Sequence, residues 1–324
     1  MTAPREDRSD WRSPVGRDNA IALRANYIDG FHAISEIDRI GHLILYRAGS
    51  EGPVTDIQSV VGIGLLRRAV TVFTGMRSLF EASSVDPAKA LARAMFELFL
   101  NHQVLAYGSQ HPVPLDTPTL SADREPRARK YYVAAERRGL RARALVLRPE
   151  ARFPLRDAEA VEAVRKEFDN EIERLRREYP LEWKYFGDVN GETIIRHVGG
   201  RDEPPWFAGE FPSGRVRSIG QLAGALDHQW DYDFLYDLWS GIVHPRGIRQ
   251  DLTIEGKHLD VHHPHDPSWF EVLAYFATSW QFVILMTAAK WHSPVMIPQL
   301  QELHRRLQPL QDTLRPRDFP SLLT

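Results

Sequence analysis

DPAKALARAMFELFLNHQVLAY, residues 86–107, decides the fold class. Asp86-Pro87 reads as a helix start, an N-cap followed by proline at the first helical position, where the missing N–H costs nothing. The helix then runs to about Tyr107. Arg93, Glu97 and Asn101 recur every four residues and share one stripe. Ala90, Ala94, Leu100 and Val104 flank it, and Met95 and Phe99 lie on the far side. A helix apolar nearly all round belongs inside a protein. An arginine placed there must be paired, because an isolated buried charge costs several kcal/mol. Glu97 stands at the right spacing to pair with it. The stripe is then either an ion pair that fixes a core or the polar wall of a pocket.

The rest of the chain repeats the helical pattern. Ile21, Ile28, Phe31, Ile34, Ile37, Ile40, Leu43 and Ile44 mark a helix from Asn19 to about Arg47. Gly49–Pro53 breaks it, and Thr55 or Asp56 caps the next helix, which runs to about Ser83. Residues 111–119 are proline-rich loop. Further helices are expected near 126–139 and 157–179, from Ser218 to Leu226, from about Asp231 to His244, from Trp269 to Trp291 and from 298 to 310. Residues 251–261 alternate about Glu255-Gly256 and predict a minor β-hairpin. The expectation is an all-α, multi-helix bundle. It comprises a flexible arm at 1–18, one helical domain at 19–310 with a charged helical arm at about 124–179 and a loop at 187–217, and a tail at 311–324.

The chain has 324 residues, 43 % hydrophobic and 26 % charged, with a net charge of −2 and no cysteine. No global field selects nucleic acid or membrane. Disulfides, thiolate metal sites and cysteine nucleophiles are excluded. The first 18 residues lack the apolar core of a signal peptide, so a cytoplasmic protein is expected. Val272–Ala289 is charge-free, but Thr278, Ser279 and Gln281 near its middle suit a buried core helix better than a membrane span.

A second polar pair lies in YDLWSGIVHP, residues 236–245. Ser240 and His244 are four apart on one face, and Pro245 ends the helix at His244. The helix dipole favours the charged imidazole there, which suits anion contact or proton transfer. The structural alternative is a histidine capping the last carbonyls, with Ser240 bonding back to its own helix. Tyr236, with Tyr232 and Trp239, supplies wall or lid.

LARAMFELFL (91–100) followed by LYDLWSGIVHP (235–245) resembles the bacterial family called domain of unknown function 5677. There an R-x-x-x-E helix precedes a helix ending S-x-x-x-H. The resemblance covers roughly residues 60–290 and implies an all-helical fold, with Arg93, Glu97, Ser240 and His244 at the matching positions and no established reaction. The terminal histidine is similar, more distantly, to that of the HEPN group of helical ribonucleases of bacterial defence and toxin systems. That group carries an arginine four to six residues before its histidine. Here Leu238 and Trp239 stand in that region, and Arg93 would hold the phosphate while His244 acts as acid or base.

Two other features bear on ligands. Residues 124–148 hold nine Lys or Arg and two Glu, with Arg129, Lys130, Tyr131 and Tyr132 together, a composition that can track phosphates and stack bases. Residues 157–178 hold eight acidic and five basic residues, so the two segments can instead pair with each other. His258, His262, His263, His265 and Asp266 cluster in a loop, with His262 and Asp266 the first candidates for a metal-dependent hydrolase, but without H-E-x-x-H spacing no metal or cofactor is assigned. No phosphate-binding glycine loop or G-x-S-x-G elbow occurs. Three functions follow: an interaction or structural module partnered by protein, RNA or a second copy; a ribonuclease-like phosphodiesterase; or a metal-dependent hydrolase.

Overall fold

The computed structural model describes residues 27–50, 56–82, 84–109, 120–147, 157–196, 203–212, 214–237, 252–255, 258–261 and 270–314. The fold is all-α. Four long helices form its centre: α1 (Ile28–Ser50), α2 (Ile57–Glu81), α3 (Val85–Tyr107) and α9 (Phe270–His292). α9 packs on the other three, and α2 packs on α1 and α3. α4 (Arg124–Leu147) lies on α2 and α3. It carries α5 (Ala158–Glu178), α6 (Pro180–Tyr185) and α7 (Gly191–Arg196) on its other side. α8 (Ile219–Ala225) touches α3, and α10 (Ile297–Leu314) lies against α9 and α1.

Local chemistry explains these elements. Asp56 caps α2 by accepting the Ser59 N–H at 2.8 Å. Asp157 caps α5 and Ser218 caps α8 in the same manner. α3 departs from expectation at its start. The helix begins at Val85 after Ser84, so Pro87 lies inside the first turn, where its missing N–H would have had no helical partner. It ends at Gly108, whose φ of 67° suits glycine. A Cβ there would stand 2.9 Å from an Arg127 guanidinium nitrogen.

α4 also differs, running past Gly139 to Leu147 because Leu140, Ala144 and Leu147 keep its apolar face buried. A single glycine costs only about 1 kcal/mol in a helix, less than those burials return. The region expected as loop carries α7, a 3-10 turn at Ala208–Glu210, and the buried rings of Trp206, Phe207 and Phe211.

α9 is the core helix. Sixteen of its residues are buried, from Phe270 to Ala289. The Phe270 ring meets Tyr27, Phe31 and Phe80 at 5.0, 5.0 and 5.1 Å, fixing the start of α9 against α1 and α2. Such ring pairs add about 0.5–1.5 kcal/mol each beyond burial. By length and composition alone α2 and α9 could each cross a bilayer; here 83 % of the α9 window is buried within the fold. The backbone of Leu252–Glu255 pairs antiparallel with His258–Val261. The turn and side chains of the hairpin expected at 251–261 lie outside the described residues.

Candidate functional site

The α3 stripe faces a cavity. Arg93 Nε approaches Glu97 Oε1 at 3.6 Å, with side chains 26 % and 38 % exposed. Arg93 is therefore neither sealed in the core nor fully in water. Asn101 is more firmly held. Its Nδ2 donates to the Glu97 carbonyl at 2.6 Å, and its Oδ1 accepts the Trp206 Nε1–H at 2.7 Å. That second bond ties α3 to a segment about a hundred residues away in the chain.

Glu97 and Asn101 form one wall of a cavity of about 320 Å³. The opposite walls come from α4, the 203–207 segment and the start of α8. α4 supplies Tyr131, Arg138 and Arg141; the segment supplies Glu203, Pro204, Pro205, Trp206 and Phe207. Arg217, Ser218 and Ile219 complete the rim. Tyr131 meets Trp206 edge-on, centroids 5.2 Å apart at 84°. Burial raises the Tyr131 phenol above its ordinary value, and Arg68 and Arg138 oppose the shift.

Charge is distributed unevenly around this space. Glu203 binds Arg137 and Arg141 together. Arg137 is buried, stacks over Trp183 at 4.4 Å, and donates to the carbonyls of Phe186 and Gly187 at 3.0 and 3.1 Å. Burial lowers its guanidinium from the ordinary value, against the pull of Glu203. Arg138 and Arg217 lie at the exposed edge, and neither forms an ion pair among the described residues.

The predicted site residues divide three ways. Arg93, Glu97 and Asn101 lie together, with Glu97 and Asn101 at the cavity. Of the basic candidates, Arg129 pairs with Glu125 at 2.5 Å, and Lys130 pairs with Glu210 at 2.7 Å beneath the Tyr185 ring. Tyr131 is buried in the cavity wall. Tyr236 belongs to a π-helical turn, Tyr232–Asp237, but its side chain lies outside the described residues. Ser240, His244 and the 262–266 histidine loop also lie outside them. Among the described residues no cluster of three metal-ligating side chains occurs. The α5 stripe is consumed within the chain, since Phe168, Ile172 and Leu175 are buried.

Sequence spacing missed Arg138, Arg141, Glu203 and Arg217. The visible hint was PPWF, residues 204–207, two aromatic rings inside a stretch otherwise composed like a loop. It also missed a second polar group further along α3. Among the described residues, His102 is buried with neither ring nitrogen hydrogen-bonded, and the Gln281 side-chain amide, Ser293 Oγ and His292 Nε2 likewise have no partner. Burial, with a smaller contribution from His292, pulls the His102 imidazole down to about 3. Burial brings His292 down to about 4 against the attraction of Asp56.

Among protein families, a model described as Family of unknown function (DUF5677) matches residues 59–258. Neither a curated protein nor a solved structure matches the chain.

Proposed function

The chain belongs to the family of unknown function DUF5677, and we propose that it is a ligand-binding helical protein whose cavity beside α3 takes a phosphate-bearing ligand. The observation that carries this reading is the meeting of the Glu97/Asn101 wall with Arg138 and Arg217 across one cavity. Guanidinium groups bind phosphates through paired, charge-assisted hydrogen bonds. A volume of about 320 Å³ is at the small end of the range for small-molecule sites. A purely structural tie would need Arg93 and Glu97 sealed together, yet both are partly exposed. Docking through the α5 stripe is disfavoured, because that stripe is already covered.

The test is calorimetric titration of a pool of short RNA oligonucleotides into the full chain at low salt. Wild type should bind, and the double variant R138Q/R217Q should lose at least tenfold in affinity with its melting temperature unchanged. Equal affinity in both proteins would remove the cavity from the binding site.

Phosphodiester cleavage is the second reading. The half-exposed Arg93–Glu97 pair on the stripe that meets the cavity favours it. Arg93 would hold a phosphate, His244 would move a proton, and Ser240 would orient it. Sizing of the RNA products from wild type and His244→Ala separates this from simple binding. Loss of cleavage at constant melting temperature supports catalysis; an uncut pool with wild type rejects it. Persistence of any cleavage in EDTA would reject metal-dependent hydrolysis through the 258–266 loop.

A further inference from the structure

The distribution of charge around the cavity narrows the ligand, on the premise that the cavity binds phosphate at all. We infer that it takes a terminal phosphomonoester, the phosphate of a mononucleotide or of a phosphorylated oligonucleotide end, in preference to an internal phosphodiester.

Three observations lead there. First, each inner guanidinium already has a carboxylate partner. Arg93 faces Glu97, and Glu203 holds both Arg137 and Arg141. Second, the guanidiniums without a carboxylate partner among the described residues are at the rim. Arg138 comes from α4 and Arg217 from the approach to α8; both line the cavity and are exposed, and neither forms an ion pair among the described residues. Two guanidiniums supply two positive charges and two flat donor edges. A phosphomonoester near pH 7 carries about −1.5 to −2 and three acceptor oxygens; a diester carries a single charge. Ser218 lies beside Arg217. Its Oγ accepts the Gln221 N–H at 3.2 Å, leaving its own O–H to donate to a phosphate oxygen.

Third, buried rings line one side of the cavity. The rings of Tyr131, Phe186 and Trp206 are buried there. Asn101 fixes Trp206 through the 2.7 Å bond. A space of about 320 Å³ bounded in this way suits one nucleotide or a chain end better than a strand passing through. Pro204, Pro205 and Ile219 give the sugar and base an apolar surface. Glu203 has a further role in this arrangement. By occupying Arg141 it keeps the preferred phosphate position at the rim.

The experiment uses the full chain and four uridine probes: uridine 5′-monophosphate, the dinucleoside monophosphate UpU, and a hexauridylate with and without a 5′-phosphate. The monophosphate should bind about tenfold tighter than UpU, the difference expected for one added charge-assisted contact. The 5′-phosphorylated hexamer should exceed its unphosphorylated form by a similar factor. R138Q and R217Q should each erase most of that preference. Both side chains are exposed, so folding should survive, and the melting temperature verifies it. Lowering the pH from 7 to 5 should weaken the monoester more than UpU, because the monoester gains a proton near pH 6. If UpU binds as tightly as the monophosphate and the arginine variants weaken both, the terminal-phosphate inference fails while the phosphate-binding cavity stands. If no probe binds, both fail. A monophosphate much tighter than the phosphorylated hexamer assigns a free nucleotide; the reverse order assigns an oligonucleotide end.

Discussion

α3 carries two polar regions, and they are built on opposite terms. At Arg93, Glu97 and Asn101 the side chains are partnered and partly exposed, with Glu97 and Asn101 at the cavity. On the very next residue, about 100° round the helix, His102 is buried, with neither ring nitrogen hydrogen-bonded among the described residues. The difference teaches where free energy is held. The first region gives up little by being polar, because its groups keep partners or solvent. The second favours a neutral imidazole, since a charged group there would lose its solvation without compensation.

Acid should break the comparison most strongly. In the unfolded chain an imidazole takes a proton near pH 6.5, whereas in the fold His102 does so only at about 3. Below pH 6.5 the unfolded state therefore binds more protons, and stability falls as the pH drops. Between pH 7 and pH 4 His102 alone should remove about 3 kcal/mol, at about 1.4 kcal/mol per pKa unit. His292, at about 4, should remove nearly as much. Urea titrations at the two pH values measure this loss together with that of carboxylates whose values the fold lowers, such as Asp56 and Glu171. His102→Leu should remove about 3 kcal/mol of that loss and leave stability at pH 7 unchanged or raised. A loss of more than about 2 kcal/mol at pH 7 would show that His102 has a partner.

A substitution on the sealed side should come next. Gly62→Ala puts a Cβ 2.6 Å from His292 Nε2, with the Trp291 ring at 3.4 Å. Overpacking of this kind costs about 1–3 kcal/mol, read as a lower urea midpoint at an unchanged slope. An unaltered midpoint would mean that His292 moves aside freely.

The part of α3 that the sequence revealed follows from the same contrast. The helix and its four-residue stripe were readable, because period and spacing are local properties. So were the caps at Asp56, Asp157 and Ser218. The onset at Val85 was not, because Asp-Pro fits both an N-cap and a first-turn position. Gly139 reads as the end of α4, although burial of Leu140 and Ala144 outweighs one glycine. The cavity was hidden for a different reason. Its walls join residues 97–101, 131–141, 203–207 and 217–219, and no spacing within one helix encodes that meeting. Whether Ser240 and His244 reach it lies outside the described residues.

On the open side the effects should be smaller. Asn101→Ala leaves the buried Trp206 N–H without its acceptor, which should cost about 1–2 kcal/mol. Asn101→Asp, which keeps the acceptor, should recover part of that in thermal unfolding. Arg93→Gln should change stability least, by under about 0.5 kcal/mol, since the pair is partly exposed and only loosely closed. A larger loss would place Arg93 with the sealed groups and erase the distinction between the two regions.

Arg137 has a consequence for motion. One guanidinium holds the Phe186 and Gly187 carbonyls, the Trp183 ring and Glu203, so it joins α4, the end of α6 and the cavity wall at one point, alongside the Tyr185 Oη bond to the Pro205 carbonyl. These segments should then open as one cooperative unit in hydrogen exchange. In Arg137→Met, amides around 183–187 and 203–207 should exchange separately and sooner than those of α9.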